Sequence, residues 1–311
     1  GSEMCIRDSF GTGRKIAEIR PTQRNDAHKL IEECMLAANV ATAAFMQKHG
    51  IPALYRVHDG PPPERLEKLK AFLGELGLSL HRGKSKDGPS PKDYQALLES
   101  IRGRDDYHLI QTVMLRSLSQ AVYSADNQGH FGLNYDAYAH FTSPIRRYPD
   151  LLIHRAIRSV IRSKQDTPHV ERAGAVSMPK ARIYPYDAPM LEQLGEQCSM
   201  SERRADEATR DVVNWLKCEF MKDRVGETFP GVITAVTGFG LFVELKDIYV
   251  EGLVHVTALP GDYYHFDPVH HRLAGERSGR SFRLGDSVSV KVMRVDLDER
   301  KIDFETVSYT H

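Results

Sequence analysis

The sequence predicts an α+β protein, with a mostly helical part up to residue 225 and a small five-stranded β-barrel over 226–306. Three observations carry this. Before residue 225, apolar residues recur at helical spacing in several long stretches. From Gly226 the period changes to two, in short alternating segments separated by glycines and Asp-rich turns. The chain has 311 residues, enough for about two domains.

Composition narrows the partners. Lys plus Arg and Asp plus Glu both number 42, so net charge is zero. Any basic surface must then be local. One such region is 146–164, with Arg146, Arg147, Arg155, Arg158, Arg162 and Lys164 against Asp150 alone. Four cysteines, at 5, 34, 198 and 218, show no CxxC or metal-type spacing. Cys34 and Cys198 sit among helical apolar positions and are read as buried free thiols of a reducing cytoplasm. No run is long or apolar enough to span a membrane, and no secretory leader is expected.

The elements follow in order. Residues 1–9, GSEMCIRDS, carry no helix or strand pattern and resemble a translated sequencing-library adapter. The natural chain is therefore expected to start near Phe10, as a fragment of a longer gene. A short strand is predicted over 15–19. Asn25 or Asp26 caps a helix to about Gln47, with Leu30, Cys34, Ala37, Ala38, Ala41 and Phe45 on its core face. Glu32 and Glu33 lie in its second turn, where acids favour the helix dipole. A strand over 53–58 precedes a helix from Glu64 to Leu76, stopped by Gly77. After a loop at 81–89, Ser90 to Asp93 form a capping box for a helix to about Ile101. Another helix is predicted from about Tyr107 to Tyr123, then extended chain over 129–133. His130 and His140 are read as packed or hydrogen-bonded residues, not metal ligands. Residues 165–186 read as a long loop. Asp187 opens a long helix to about Lys222, with Leu191, Leu194, Cys198, Ala205, Ala208, Val212, Leu216 and Phe220 facing the core.

The stretch that organises the chain is HFTSPIRRYPDLLIHRAI, residues 140–157. Ser143-Pro144 is read as a helix start, with Pro149 as the alternative. Arg146 and Arg147 sit at the end of the helix where the dipole disfavours cations. They form either a phosphate receptor beside free backbone N–H groups, or a pair bridging to carboxylates such as Asp150.

In the second part, strands are predicted over 228–236, 240–244, 251–255, 287–295 and 301–305, the pattern of a closed barrel of the OB type. Exposed aromatics on such a barrel stack unpaired bases, while Lys291 and Arg294 attract phosphates. Phe229, Phe239, Phe242 and His255 are the candidate aromatics. Phe242 lies in an alternating apolar strand and is the one pattern favours as buried. Phe239 lies between two glycines, where a core role is less natural. Asp296 to Glu299 is read as a hairpin turn, not a metal site.

The 140–157 run resembles the signature of the ribonuclease II (RNB) superfamily of processive, hydrolytic 3′→5′ exoribonucleases. NDAHKLIEECMLAANVA, GHFGLNYDAYAHF and SERRADEATRDVVNWLKCEFM agree with it, and the resemblance extends over residues 10–305. GVITAVTGFGLFVEL with EGLVHVTAL resembles the S1-type RNA-binding domain. The resemblance divides the chain into a leader (1–9), part of an RNB catalytic domain (10–225), an S1-type OB barrel (226–306) and a tail (307–311). It implies that Arg146 grips the scissile phosphate beside Arg147. It also implies that Glu32 or Glu33 contacts the terminal nucleotide, and that a glutamate of the 187–222 helix, matched to Glu207 over Thr209, faces the active site. Phe229, Phe239, Phe242 and His255 match the RNA face.

The resemblance further implies Mg²⁺, held in the family by an Asp-x-Asp-Asp cluster. No such stretch occurs here; its ligands are expected upstream of this chain, with no metal ligand in the chain itself. The implied partners are single-stranded RNA or RNA 3′ ends, and the implied products of the parent are 5′-nucleoside monophosphates. Alone, the chain is expected to bind RNA weakly and to lack activity. The alternatives are a non-catalytic single-stranded RNA-binding protein and, third, an adaptor barrel for protein partners.

Overall fold

The computed structural model describes residues 6–10, 16–21, 24–80, 88–104, 106–162, 178–268 and 270–309. Strand β1 (Ile6–Phe10) pairs antiparallel with β2 (Ile16–Pro21). The sequence pattern assigned no strand to residues 1–9, and the remainder of that stretch lies outside the described residues. Helix α1 (Asp26–Lys48) is capped by Asn25, whose side chain accepts from His28 N.

The buried face of α1 differs from the expected one. It consists of Asn39, Thr42, Ala43 and Met46, while Leu30, Ile31 and Cys34 are exposed. Hydrophobicity could not locate this face because two of its members are polar. Asn39 donates to the Tyr138 hydroxyl (2.9 Å) and accepts from Phe141 N (2.9 Å), and Thr42 donates to Ala38 O (2.7 Å). Buried polar groups with satisfied hydrogen bonds are tolerated in a core.

Strand β3 (Tyr55–Val57) leads to α2 (Pro63–Glu75), α3 (Pro91–Ser100) and α4 (Tyr107–Ser117). The capping box at Ser90 and Asp93 is present, with Ser90 N donating to Asp93 (2.6 Å). The predicted helix to Tyr123 stops six residues early. Val122–Ser124 instead forms β4, antiparallel to β3, where β-branched and aromatic side chains suit a pleated pair. Phe131–Leu133 is a 3₁₀ turn and not extended. Helix α5 (Tyr148–Ile161) carries the arginine motif, α6 (Lys180–Ile183) is a single turn inside the expected loop, and α7 (Ala188–Met221) is capped by Asp187 as expected.

The α7 helix docks on β4 through a close approach. A Cβ at Gly195 would lie 2.8 Å from Tyr123 O, and Ser199 Oγ accepts from Tyr123 N at 2.9 Å. Farther along, Ala205, Ala208 and Val212 are exposed, against expectation. The cause is that α7 bridges two separate cores. Leu191 belongs to one, with α1, β3 and α5; Cys218 and Met221 belong to the other, with α2–α4 and the barrel.

The barrel closes in the order β11-β12-β7-β6-β5, from β5 (Thr228–Thr237), β6 (Gly240–Leu245), β7 (Glu251–His255), β11 (Ser287–Asp296) and β12 (Lys301–Tyr309). Only the β12–β7 pair is parallel. These are the five expected strands. Missed from the sequence is a three-stranded side sheet of β8 (Tyr264–Asp267), β9 (Arg272–Gly275) and β10 (Ser281–Arg283). Its strands are too short for alternation to register. The turn at Asp296 is confirmed: its carboxylate accepts from Glu299 N at 2.9 Å. No helix among the described residues is long and apolar enough to cross a membrane.

Barrel closure depends on Gly252 of β7. A Cβ there would lie 2.5 Å from the Phe304 ring and 2.8 Å from Ile302 O, both on the parallel strand β12. Gly252→Ala is expected to cost roughly 1–3 kcal/mol through overpacking. Urea unfolding measures this, and a midpoint equal to wild type would refute it.

Candidate functional site

The arginine loop is built around one buried carboxylate. Asp150 is fully buried. It accepts from Arg147 Nε (2.8 Å) and Nη2 (2.9 Å), a bidentate pair, and from Ser143 N (2.7 Å). Helix α5 starts at Tyr148 with Arg147 at the N-cap and Pro149 in the first turn, so Ser143 is not the cap. Ser143 instead anchors the turn before the helix, its carbonyl accepting from Arg146 N (3.3 Å) and Arg147 N (3.1 Å). The two arginines therefore separate. Arg147 is locked against Asp150. Arg146 is exposed, and its guanidinium has no ion-pair partner among the described residues.

A cavity of about 630 Å³ opens beside this loop. Its lining includes Arg146, Arg147, Tyr123, Cys198, Glu202 and Asp206. Arg56 of β3 donates to Glu202 Oε2 (2.6 Å), and its guanidinium lies 4.6 Å over the Tyr123 ring. The Tyr123 hydroxyl shares a hydrogen bond of 2.8 Å with His140 Nδ1. Burial pushes the Tyr123 hydroxyl up to about 12. Burial, then the nearby Arg147, pushes His140 down to about 3. His130 is pushed down to about 4 by burial and then by His58. Both imidazoles are neutral packing elements of an aromatic layer with Tyr138.

Among the proposed acids, Glu32 is ion-paired with Arg24, Glu33 is exposed, and neither lines the cavity. Glu207 lies in a neighbouring shallow depression with Arg204 and Asp211. Glu202 and Asp206 are the α7 acids on the cavity wall. A signal for Glu202 was present in the sequence. It continues the spacing Leu191, Gly195, Cys198 on one face of α7, so a glutamate extends a packed stripe. Arg56 and Tyr123 were missed because each sits in a strand of three residues.

These acids do not fit a metal site. Asp150 is satisfied by Arg147 and Ser143, and Glu202 is tied to Arg56. Among the described residues no group of three or more His, Cys, Asp or Glu is placed to hold an ion.

On the barrel, β6 alternates with Leu241, Val243 and Leu245 inward, so Phe242 faces outward. The burial that pattern favoured for Phe242 is corrected by this register. The Phe239 and Phe242 rings stand 6.0 Å apart, edge to face, and Phe239 is half exposed. His255 is exposed and pairs with Gly240 in register, next to Phe239. Phe229 is not part of this group. It lies at the opposite end of β5, opposite Val290, and packs partly against the core. Lys291 is its neighbour, opposite Thr228. Arg294 is exposed and ion-paired with Asp296 at 2.5 Å.

Two outcomes follow. Asp150→Asn leaves Arg147 without its charge partner, and is expected to cost about 3 kcal/mol, the low end for a broken buried pair because Arg147 keeps some solvent contact. Denaturant unfolding checks this, and a loss below about 1 kcal/mol would contradict it. His130 and His140 have folded values below the ordinary value of 6.5. Below that pH the unfolded chain takes up protons that the folded chain refuses, so stability falls on acidification. Each histidine contributes up to about 1.4 kcal/mol per pH unit. Between pH 6.5 and 5, above the main carboxylate range, His140→Gln should reduce this slope; an unchanged slope counts against it.

Residues 7–163 match the family described as RNB domain, and residues 222–306 match the S1 RNA binding domain. Ribonuclease R of Escherichia coli (strain K12) is 52% identical over 300 residues, which cover 96% of this chain and 36% of that protein. The structure of Mycoplasma genitalium RNase R in complex with ribose methylated single-stranded RNA shares the fold, with TM-score 0.82 at 24% identity, over 97% of this chain and 45% of that one. Yeast Ssd1, a pseudonuclease, shares it with TM-score 0.61 at 22% identity, over 81% of this chain and 29% of that one. The chain thus spans little more than a third of the Escherichia coli relative's length. The arginine loop lies within the RNB match and the aromatic barrel within the S1 match, and the chain belongs to the RNB family, among relatives of ribonuclease R.

Proposed function

We propose that this chain grips and guides RNA within a ribonuclease R-like, processive 3′→5′ exoribonuclease that hydrolyses RNA to 5′-nucleoside monophosphates. The observation that supports this best is Arg146, an exposed guanidinium at a cavity mouth beside an arginine locked in place. A pre-positioned fork that binds a phosphate and meets charge developing on its oxygens needs this arrangement. Arg147 acts as the positioning residue. The outward face of Phe239, Phe242 and His255 offers rings on which bases stack as the strand approaches. Lys291, Arg294 and Phe229 are supplementary contacts farther round the barrel. Glu202 and Asp206 are better placed than Glu207 to face the substrate. Glu32 reaches a terminal nucleotide only by giving up Arg24, whereas Glu33 has no ion pair among the described residues. No residue of this chain is assigned to the Mg²⁺ that the family resemblance implies.

The second reading is a non-catalytic single-stranded RNA-binding protein, favoured by the fold shared with a pseudonuclease. It predicts that residues 10–225 fold stably without an upstream half, which limited proteolysis of the purified chain measures.

The test mixes the purified chain with 5′-labelled single-stranded RNA and Mg²⁺, following gel shift and shortening together. A shift without shortening is expected. Arg146→Ala should weaken binding several-fold and reduce the salt slope by roughly 0.7, one phosphate contact on a single strand. Absence of any shift overturns the proposal, and an unchanged slope removes the phosphate role. Shortening abolished by chelator would place metal ligands in this chain, with Asp206, Glu207 and Asp211 the first to examine.

A further inference from the structure

We propose that Phe266, on the side sheet, adds a base-stacking position for single-stranded RNA to the barrel's aromatic face, so that Phe242, Phe239 and Phe266 form one platform. This rests on the RNA reading of the barrel given above.

Phe266 lies on β8, a strand that the five-stranded barrel does not include. It shares a strand face with Tyr264, two residues before it. Tyr264 is buried and packs on Phe282, with ring centroids 5.5 Å apart, and Leu273, opposite Phe282 in register, lies in the same buried cluster. These three side chains fasten the sheet to the barrel core. Phe266 continues the same face past the edge of that core and remains 38% exposed. There it meets the β5–β6 hairpin at Gly238, where an added Cβ would stand 4.0 Å from the Phe266 Cβ. Phe239, the residue after Gly238, is 50% exposed. Two phenylalanines on different sheets are thus both left open, one touching Gly238 and the other following it in the chain.

The position is rigid. Phe266 pairs with Leu273 in register, and the following turn is tied at Asp267, which accepts from His270 N (3.1 Å) and Arg272 Nε (3.2 Å). A ring held this way loses little freedom when a base stacks on it. Adjacent exposed aromatics on a fixed surface form a patch larger than scattered surface residues produce, and such patches mark binding sites. Unpaired bases suit it because every base presents a π-face of similar size. His265 projects from the other face of β8, with the exposed Tyr263 ring 5.0 Å from it. That pair falls outside the platform and provides an internal control.

The test measures fluorescence anisotropy of the full chain with a short labelled single-stranded RNA. Wild type is compared with Phe239→Ala, Phe266→Ala, Phe266→Tyr, Phe266→Leu and Tyr263→Ala. Phe266→Ala should weaken binding about fivefold or more, the low end for one stacked base. Phe266→Tyr should restore most of the affinity. Phe266→Leu should not, because leucine keeps the apolar contact with Gly238 and lacks the ring. Tyr263→Ala should bind as wild type. Circular dichroism melts confirm that the leucine variant is folded, which separates a stacking loss from a packing loss. Wild-type affinity in Phe266→Leu or Phe266→Ala, with Phe239→Ala weakened, overturns the added position alone. If Phe239→Ala also binds as wild type, the RNA reading of the barrel fails with it.

Discussion

The carboxylate of Asp150 is the group on which the site depends. Removing a carboxylate from water costs several kcal/mol, and only close partners offset that cost. Asp150 has three such contacts, two from one guanidinium and one from the backbone of Ser143. Together they fix the first turn of α5, the loop before it, and the direction in which the next residue leaves. Two neighbouring arginines thereby take unlike roles. Arg147 gives up its charge to hold the loop, and Arg146 keeps its own free at the surface. A phosphate receptor built from both would need the loop to be held by something else.

Position is transmitted to the rest of the molecule by α7. Its 34 residues extend about 50 Å. One end is pinned to β4 by Gly195 and Ser199, next to the cavity. The other end enters the barrel core with Cys218 and Met221, while Lys217 donates to Tyr249 O at 2.7 Å. The middle is exposed because it lies between cores, which is why Ala205, Ala208 and Val212 read as core residues and are not. Apolar periodicity identifies a helix face; it does not indicate whether a neighbour covers that face.

Where sequence and structure agree, the signal was local chemistry. Asn25 and Asp187 announce helix starts because their side chains satisfy orphan N–H groups, and Ser90 does so through Asp93, whose carboxylate accepts from Ser90 N and Oγ. The five barrel strands alternate over enough residues to be read. Where they part, the deciding interaction was long-range. Asn39 is buried because Tyr138 and Phe141, about a hundred residues on, provide its partners. Val122 to Ser124 is a strand because β3 lies beside it. Phe242 faces outward because the register of β6 places Leu241 and Val243 inside. Arg146 was legible as a candidate, but its separation from Arg147 was not, since either arginine could have taken Asp150.

Charge pairing then shapes how such a surface would hold a polyanion. The chain is neutral overall, and several cations near the candidate surfaces are already engaged: Arg147 with Asp150, Arg56 with Glu202, and Arg294 with Asp296. The first is buried and does not yield. The last is an exposed pair worth about 0–1 kcal/mol, which a phosphate displaces at little cost. On the proposed reading the exposed rings of the barrel and the guanidinium of Arg146, unpaired among the described residues, hold the strand together. Stacking carries no sequence code and little salt dependence. On that reading it would let a strand advance base by base while the Arg146 guanidinium, held from behind by the buried Arg147–Asp150 pair, meets each phosphate at the same point.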